Sequence, residues 1–561
     1  MSVDASSPSK KSGLKQEMGD KINGQELKVL VESGLTWLRT NQQTVNSLNV
    51  FPVPDGDTGT NMVLTMQAAY NEIANSGENN VGKMAHAIAR GALMGARGNS
   101  GVILSQIWRG FARATNNIDI MDAIILARAL AEGKNTAYKG VVRPVEGTIL
   151  TVVKDIASAA EKQLSKTSDL TALLEVIVQE ADESVKRTPE LLPILKQAGV
   201  VDSGGKGLFY IFEGMLRYLK GQSLDIPLSA VQPISAMNLE NTIKEIEPGQ
   251  DFEVVIDFHP NTTFNLDHFY SDLAEIGTSI QVGEIDGIYR MHIHVAADKK
   301  YQPIEYTMQV GTVSKVAIEN LQAQIQIKEK DSEIQMNLAQ VLPGHIAVVA
   351  VSPGRGISRI FASLGVAAIV EGGQMMNPST EEIITKCENL PTDKVIILPN
   401  NKNIILAAQN AANEMLKKVT VIPSSSIPQG LSAMLRLVPD GELEKVVAEM
   451  NQALNDVDSG EVTIATRSVE INGVQVEKGH VIALLNGKLV CSVGSLKDAC
   501  LGLLAKANTE EKERITLFYG AGLQPIEVNP VIDKIRSVYP SHEIEVHEGG
   551  QPLYQFIISL E

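Results

Sequence analysis

Asp55 and Asp57 stand two residues apart in the run Asn49-Val50-Phe51-Pro52-Val53-Pro54-Asp55-Gly56-Asp57-Thr58-Gly59-Thr60-Asn61. Pro52 and Pro54 fix φ and block a helix, so the segment is predicted to be extended or turned. In an extended segment residues i and i+2 point the same way, and both carboxylates then face one spot. Mg2+ is a hard cation that takes one or two carboxylates together with waters and phosphate oxygens. Gly56 and Gly59 let the backbone approach a ligand closely. Thr60 or Asn61 is expected to cap the next helix, whose first N–H groups favour phosphate. An Asp-Gly pair alone is an ordinary turn. Two Pro, two Asp, two Gly and two Thr in one tight run point further, to a site for Mg2+ and a nucleotide that transfers phosphate.

Three more glycine-bearing turns join helical stretches. They are Gly95 to Gly101, with Arg97, Asn99 and Ser100; Pro144 to Thr148, with Gly147; and Val201 to Gly207, with Asp202, Ser203 and Gly204. Each alone reads as a helix–helix connection with a glycine C-cap and a serine N-cap. Together they are expected to line one rim, a nucleotide site at the mouth of a helical barrel. A separate candidate is His292-Ile293-His294. Strand alternation puts both imidazoles on one face, which suits zinc. The alternative is a histidine pair on a solvated strand face.

The elements that must hold these residues change texture along the chain. From about Asn23 to Leu219 apolar residues recur at helical spacing, as in Leu27, Leu30, Val31, Leu35 and Leu38. From Asp251 to about Val313 the period is two, which predicts strands. From His345 onward short apolar runs alternate with helical stretches, which predicts a parallel sheet with helices on its faces. The expected architecture is multidomain. Residues 1–22 form a disordered tail, 23–225 an all-α domain, 226–338 a small α+β domain and 339–561 an α/β domain.

The 561 residues suit three or four domains at roughly 150 residues each. The net charge of −17 argues against sequence-independent nucleic-acid binding, which needs clustered Lys and Arg. Three cysteines, none in a C-x-x-C pair, fit a reducing cytoplasm. The Ser- and Lys-rich start lacks the apolar core of a secretory signal. No window is apolar for the ~18 residues a membrane span needs.

Asn49 to Met62, Gly95 to Gln106, Pro144 to Thr151 and Gly199 to Gly207 resemble the nucleotide-binding domain of dihydroxyacetone kinases. From about residue 23 to 561 the chain is similar to the catalytic subunit of bacterial fatty acid kinase, including the ending Glu548-Gly-Gly-Gln-Pro-Leu-Tyr554. The resemblance implies an eight-helix barrel binding Mg·ATP, with Asp55 and Asp57 as magnesium ligands. It places Thr58, Gly59, Thr60, Asn61, Asn99, Ser100, Gly101, Gly147, Thr148, Asp202, Ser203 and Gly204 around the nucleotide. The dihydroxyacetone branch has a further Asp five residues before the pair. Val50 stands there in this chain, and Asn49 beside it is the substitute oxygen ligand.

The resemblance further implies a homodimer and a separate fatty-acid-binding carrier protein, whose fold the C-terminal domain resembles. The carrier would present a fatty acid, and the product would be an acyl phosphate. Zinc is implied on the middle domain, where relatives carry a Cys about forty residues before the histidines. Asp251 is the expected third ligand here, with His292 and His294. An acceptor carboxylate is already ionised at neutral pH and needs no general base. Catalysis then rests on cations and positioning, and Arg97, Arg143, Arg187 and Lys206 are the candidate cations, with Arg187 taken as catalytic. Two alternatives stay open: a kinase of dihydroxyacetone or a similar hydroxy-ketone, and a non-catalytic ATP-sensing scaffold.

Overall fold

The computed structural model describes residues 21–49, 56–165, 168–224, 232–233, 251–261, 264–285, 288–321, 336–471 and 473–561. Residues 1–20 of the expected tail, Val50 to Asp55, and most of both linkers lie outside the described residues. The chain divides into two compact units, Met1–Gln222 with Ala339–Glu561, and Ser223–Leu338.

The N-terminal half of the first unit is helical. Its helices are α1 Gly24–Thr40, α2 Gln42–Leu48, α3 Thr58–Asn71, α4 Val81–Met94, α5 Gly98–Ala114, α6 Ala123–Lys139, α7 Ile149–Gln163, α8 Leu170–Leu191, α9 Pro193–Ala198 and α10 Ser203–Leu219. The stripe read from the sequence is the buried face of α1: Leu27, Leu30, Val31, Leu35 and Leu38. Asn23 and Glu26 close a capping box at its start. The long helices pack in a closed ring, α1-α3-α4-α5-α6-α7-α8-α10 and back to α1. Leu104, Trp108, Leu126, Leu208 and Phe212 fill its interior, leaving a cavity of about 40 Å³. The ring is thus a packed core. Neighbours in the ring run antiparallel, so α3, α5, α7 and α10 all begin at the same end. Among the described residues no helix is long and apolar enough to cross a membrane.

The second unit carries a five-stranded sheet: β1 Gln232–Pro233, β2 Phe252–Pro260, β3 Thr278–Ile285, β4 Ile288–Val295 and β5 Gly311–Asn320. The order is β1-β3-β4-β2-β5, antiparallel except for the β1–β3 edge. Val254, Ile256 and Phe258 alternate onto the core face, where Phe269 and Leu273 meet them. The register sets Glu253 opposite His294 and Val255 opposite His292 on the other face.

The C-terminal half of the first unit is α/β. Its first sheet has β6 Ile346–Ser352, β7 Ala368–Glu371, β8 Lys394–Leu398 and β9 Lys418–Val421 in the order β7-β6-β8-β9, all parallel. β6 is buried at every residue, as a strand covered on both faces should be. The remaining strands are β10 Asp458–Ile464, the hairpin β11 Val469–Ile471 and β12 Val474–Val476, β13 Val481–Leu485, β14 Lys488–Val493, β15 Arg514–Tyr519, β16 Glu543–Glu548 and β17 Phe556–Leu560. Six of them form a second sheet, β14-β13-β10-β17-β15-β16, in which β15–β16 is the parallel pair. The turn after β6 docks on the C-terminal glycines, with Ile357 N donating to Gly549 O at 3.1 Å. The two halves share a core, where Ala96 and Val102 join Val349, Ile397, Ile404 and Ala407.

Candidate functional site

The four glycine turns of the helical half come together because they feed the N-termini of α3, α5, α7 and α10. Ser203 Oγ donates to Thr58 Oγ1 at 3.2 Å, joining the α10 and α3 starts. A Cβ on Gly204 would lie 3.3 Å from Ile149 and 3.5 Å from Ser100 Oγ, so α7 and α5 begin beside α10. Several first-turn N–H groups of each helix lack intrahelical partners and carry the positive end of its dipole. Such convergence of helix N-termini is the arrangement that suits an anion.

Helix α3 starts earlier than the sequence suggested. Gly56 turns the chain at φ +49°. Asp57 takes the N-cap position without a side-chain capping bond, and Thr58 opens the helix. Thr60 and Asn61 therefore lie inside it, and neither is the cap. Thr60 Oγ1 accepts from Gln42 and Asn46, and Thr60 N donates to Asn46 Oδ1. That hydroxyl fixes α2 against α3.

The Asp57 carboxylate is buried and turned toward amides. Asn61 Nδ2 donates to Oδ2 at 2.9 Å, Asn377 Nδ2 donates to the same oxygen, and Asn49 Nδ2 lies 3.3 Å from Oδ1. Burial pushes this carboxyl up to about 6, while the amide donors pull it back down. Asp202 behaves alike. It caps α10, accepting from Gly205 N at 2.6 Å, and burial pushes it up to about 6 as well. Among the described residues these are the two carboxyls of the helical half shifted upward, and both sit on glycine turns. Clustered perturbed carboxyls mark functional sites more often than chance. Asp55 lies outside the described residues.

The other expected residues distribute around this rim. Thr148 caps α7, accepting from Leu150 N, and Gly147 N donates to Thr151 Oγ1 at 2.8 Å. Asn99 Nδ2 reaches Asn403 Oδ1 of the α/β half at 3.3 Å. Ser100 and Gly101 lie in the first turn of α5. Of the cations, Arg97 is held by Asn377 O at 2.9 Å and paired with Glu382 at 3.1 Å. Arg187 is paired with Asp155 at 3.0 Å and Glu180 at 2.7 Å. Lys206 lies 3.5 Å from Asp182 and 4.0 Å from the Phe209 ring centre. Arg143 is exposed between α6 and α7.

Sequence reasoning missed Asn377. It lies in Gly372-Gly-Gln-Met-Met-Asn377-Pro-Ser-Thr380, where Gly-Gly and Asn-Pro signal a loop and Ser379 with Glu382 a capping box. Those signals locate the loop. No local pattern says that it reaches Asp57.

The second unit holds a separate cluster. Glu253, His292 and His294 are buried and offer ligand atoms within 4.8 Å of one another. His292 Nε2 lies 2.7 Å from Glu253 Oε1, and His292 Nδ1 lies 3.1 Å from Ser279 O. Neither ring nitrogen of His294 has a hydrogen-bond partner among the described residues, and burial holds its pKa below the usual histidine value. The carboxylate grouped with the two histidines is Glu253 and not the expected Asp251. The antiparallel register places Glu253 directly across from His294, whereas Asp251 precedes the strand and closes its end through Leu321 N. The alternative of a solvated pair is corrected too, since both rings are buried.

Residues 52–217 match the DAK2 domain, residues 247–328 the FakA-like (fatty acid kinase) middle domain, and residues 347–561 the FakA-like C-terminal domain. Protein YloV of Bacillus subtilis (strain 168) is 40% identical over 551 residues, covering 96% of this chain and 99% of that protein. The chain belongs to the FakA-like fatty acid kinase family. An uncharacterized protein of Staphylococcus aureus (strain USA300) is 38% identical over 555 residues, covering 97% of this chain and all of that protein (100%). Solved structures align over part of the chain with low scores. A dihydroxyacetone kinase from C. freundii with AMP-PNP and Mg2+ covers 39% of this chain and 38% of its own, at 18% identity and a TM-score of 0.27. The fatty acid kinase B3 protein of Streptococcus pneumoniae, loaded with linoleic acid, covers 38% and 99% at 11% identity and a TM-score of 0.27. Family membership makes this chain a kinase-family protein, with the three family domains in the order read from its sequence.

Proposed function

We propose that the chain transfers the terminal phosphate of Mg·ATP to the carboxylate of a fatty acid presented by a separate fatty-acid-binding protein, giving an acyl phosphate. The observation that carries this reading is the convergence of four helix N-termini beside two carboxyls that desolvation shifts upward, Asp57 and Asp202, in a chain of this family. Asp57 and Asp55 would hold Mg2+, with Asn49 beside them. When bound, the ion offsets the charge of the phosphate oxygens and of the transferring group. First-turn N–H groups at Thr58 and Gly59, at Asn99 and Ser100, and at Ser203 and Gly204 orient the phosphates, with Asn61, Thr60, Gly101, Gly147 and Thr148 shaping the rim. Asp202 fixes the α10 start by its cap. Arg187, paired in this structure with Asp155 and Glu180, is the cation assigned to the incoming carboxylate.

An oxygen of the acceptor carboxylate bonds to the γ-phosphorus, the bond from that phosphorus to the β–γ bridging oxygen breaks, and ADP leaves. No proton moves, so the site needs orientation and positive potential in place of a base. The test is mass spectrometry for acyl phosphate after mixing the protein with Mg·ATP and an acyl-loaded carrier. Phosphate transfer to free dihydroxyacetone, with none to the carrier-bound acid, would replace this reading with the hydroxy-ketone kinase. ATP binding without turnover under either condition would leave the scaffold.

The Glu253–His292–His294 cluster fits Zn2+. Its donors are nitrogen and oxygen, both histidines share one strand face, and the His294 ring nitrogens have no partner among the described residues. A zinc ion there would tie β2 to β4 in the second unit.

A further inference from the structure

Asp57 is supported from outside the kinase half. β7 ends at Glu371 and the chain reverses at once, with Gly373 N donating to Met376 O at 3.0 Å and Met376 N donating to Gly373 O at 3.3 Å. This loop leaves the carboxyl end of a parallel strand, the edge where α/β sheets place functional loops. It delivers Asn377, 2% exposed, to Asp57 Oδ2. The loop is clamped by contacts that do not use the Asn377 side chain. Arg97 donates to the Asn377 carbonyl and pairs with Glu382, and Thr380 N donates to Ala96 O at 3.2 Å.

The consequence lies in the lone pairs of one carboxylate. Oδ2 accepts from both Asn61 and Asn377. Among the described residues the side-chain donor to Oδ1 is Asn49, at 3.3 Å. Two amide donors on Oδ2 fix the rotation of the carboxylate, and with it the direction in which Oδ1 would face a metal. Donors behind a ligating carboxylate fix its orientation and typically change metal affinity by roughly 10–100-fold when removed.

We propose that Asn377 is a positioning residue for the Mg·ATP site, which makes metal binding by the helical half dependent on the α/β half of the same chain. This rests on the kinase reading above. The opposite role is an autoinhibitory latch, in which Asn377 occupies Asp57 until nucleotide displaces it. The two differ in sign.

The experiment titrates Mg2+ into the full-length protein with a non-hydrolysable ATP analogue and reads nucleotide binding, with the ligand-free melting temperature as a check on folding. Asn377→Ala should raise the Mg2+ concentration needed for half-maximal binding by about 10–100-fold. Glu382→Gln keeps the capping box and removes one clamp, the Arg97 ion pair, while the Arg97 bond to the Asn377 carbonyl and the Thr380 bond to Ala96 still hold the loop and Asn377 in place. It should leave the Mg2+ requirement near that of the wild type. An unchanged Mg2+ requirement in Asn377→Ala overturns the proposal, as does a lower one, which would identify a latch. An equal rise in Glu382→Gln also overturns it, because the effect would then belong to the interface as a whole. Absence of Mg2+-dependent nucleotide binding in the wild type would instead remove the kinase reading and this inference with it.

Discussion

Gly98 tests whether the Asp57 cradle is as tight as the geometry says. It opens α5 at φ +57°, and a Cβ there would lie 2.7 Å from Asn61 Nδ2 and 3.4 Å from Asn377 Nδ2. Those two amides hold Asp57 Oδ2. Gly98→Ala therefore carries two costs. The left-handed backbone costs an L-residue about 1–2 kcal/mol. Relieving the 2.7 Å contact pushes Asn61 off a bond to a charged group, worth about 1.5–3 kcal/mol. The sum is about 2.5–5 kcal/mol. Gly199 supplies the matched control, with φ +65° and nothing within 4 Å of its would-be Cβ. Gly199→Ala should cost only the backbone term. At about 2–4 °C per kcal/mol for a domain of ~150–250 residues, thermal melting separates the two variants by several degrees. The Mg·ATP-induced rise in melting temperature should persist in Gly199→Ala and be strongly reduced in Gly98→Ala. Equal melting temperatures, or a full Mg·ATP shift in Gly98→Ala, would refute the proposed coupling from Gly98 through Asn61 to Asp57.

Three further outcomes are expected. Asp57 has a folded pKa of about 6 against 3.8 for the free group, so between those values the folded protein holds more protons and its stability falls as pH rises. Two units correspond to at most about 3 kcal/mol; metal-free Asp57→Asn should gain stability relative to wild type from pH 5 to 7, and a flat difference across that range would contradict the buried-charge account. Burial pushes Cys387 and Cys500 up to about 12, leaving a thiolate fraction near ~10⁻⁴ at pH 8. Iodoacetamide on the native protein should therefore mark the less buried Cys491 first, and equal labelling of all three by mass spectrometry would show that the cores open. Finally, protein dialysed against zinc should retain metal by atomic emission. His294→Ala or Glu253→Ala should lose it, and loss on Asp251→Ala instead would restore the ligand expected from the sequence.

Much of the molecule follows from local chemistry. Helical spacing in residues 23–219, strand alternation from Asp251 and buried apolar runs from His345 are consequences of which side chains must leave water. They set element type and order without reference to distant residues. The glycine turns are legible for the same reason, since Gly, Asp and Ser at helix starts act within a few residues of themselves. Asp57 and Asp202 could be named from such turns. Their upward shift could not, because it depends on how much solvent the surrounding ring removes.

Tertiary structure decided which residues meet. The start of α3 at Thr58 depends on the turn at Gly56 and on α2 claiming Thr60. Glu253, and not Asp251, lies beside the histidines because strand register is fixed by pairing between β2 and β4, a relation between segments some forty residues apart. Asn377 lies 320 residues from Asp57 in sequence. It reaches the carboxylate only because β7 aims its loop across the shared core. The sequence alone marks a glycine-bearing loop with two aspartates, Asp55 and Asp57. That one of those aspartates is oriented by an amide from the other end of the chain is a property of packing, where side chains far apart in sequence share one buried space and must satisfy one another's hydrogen bonds.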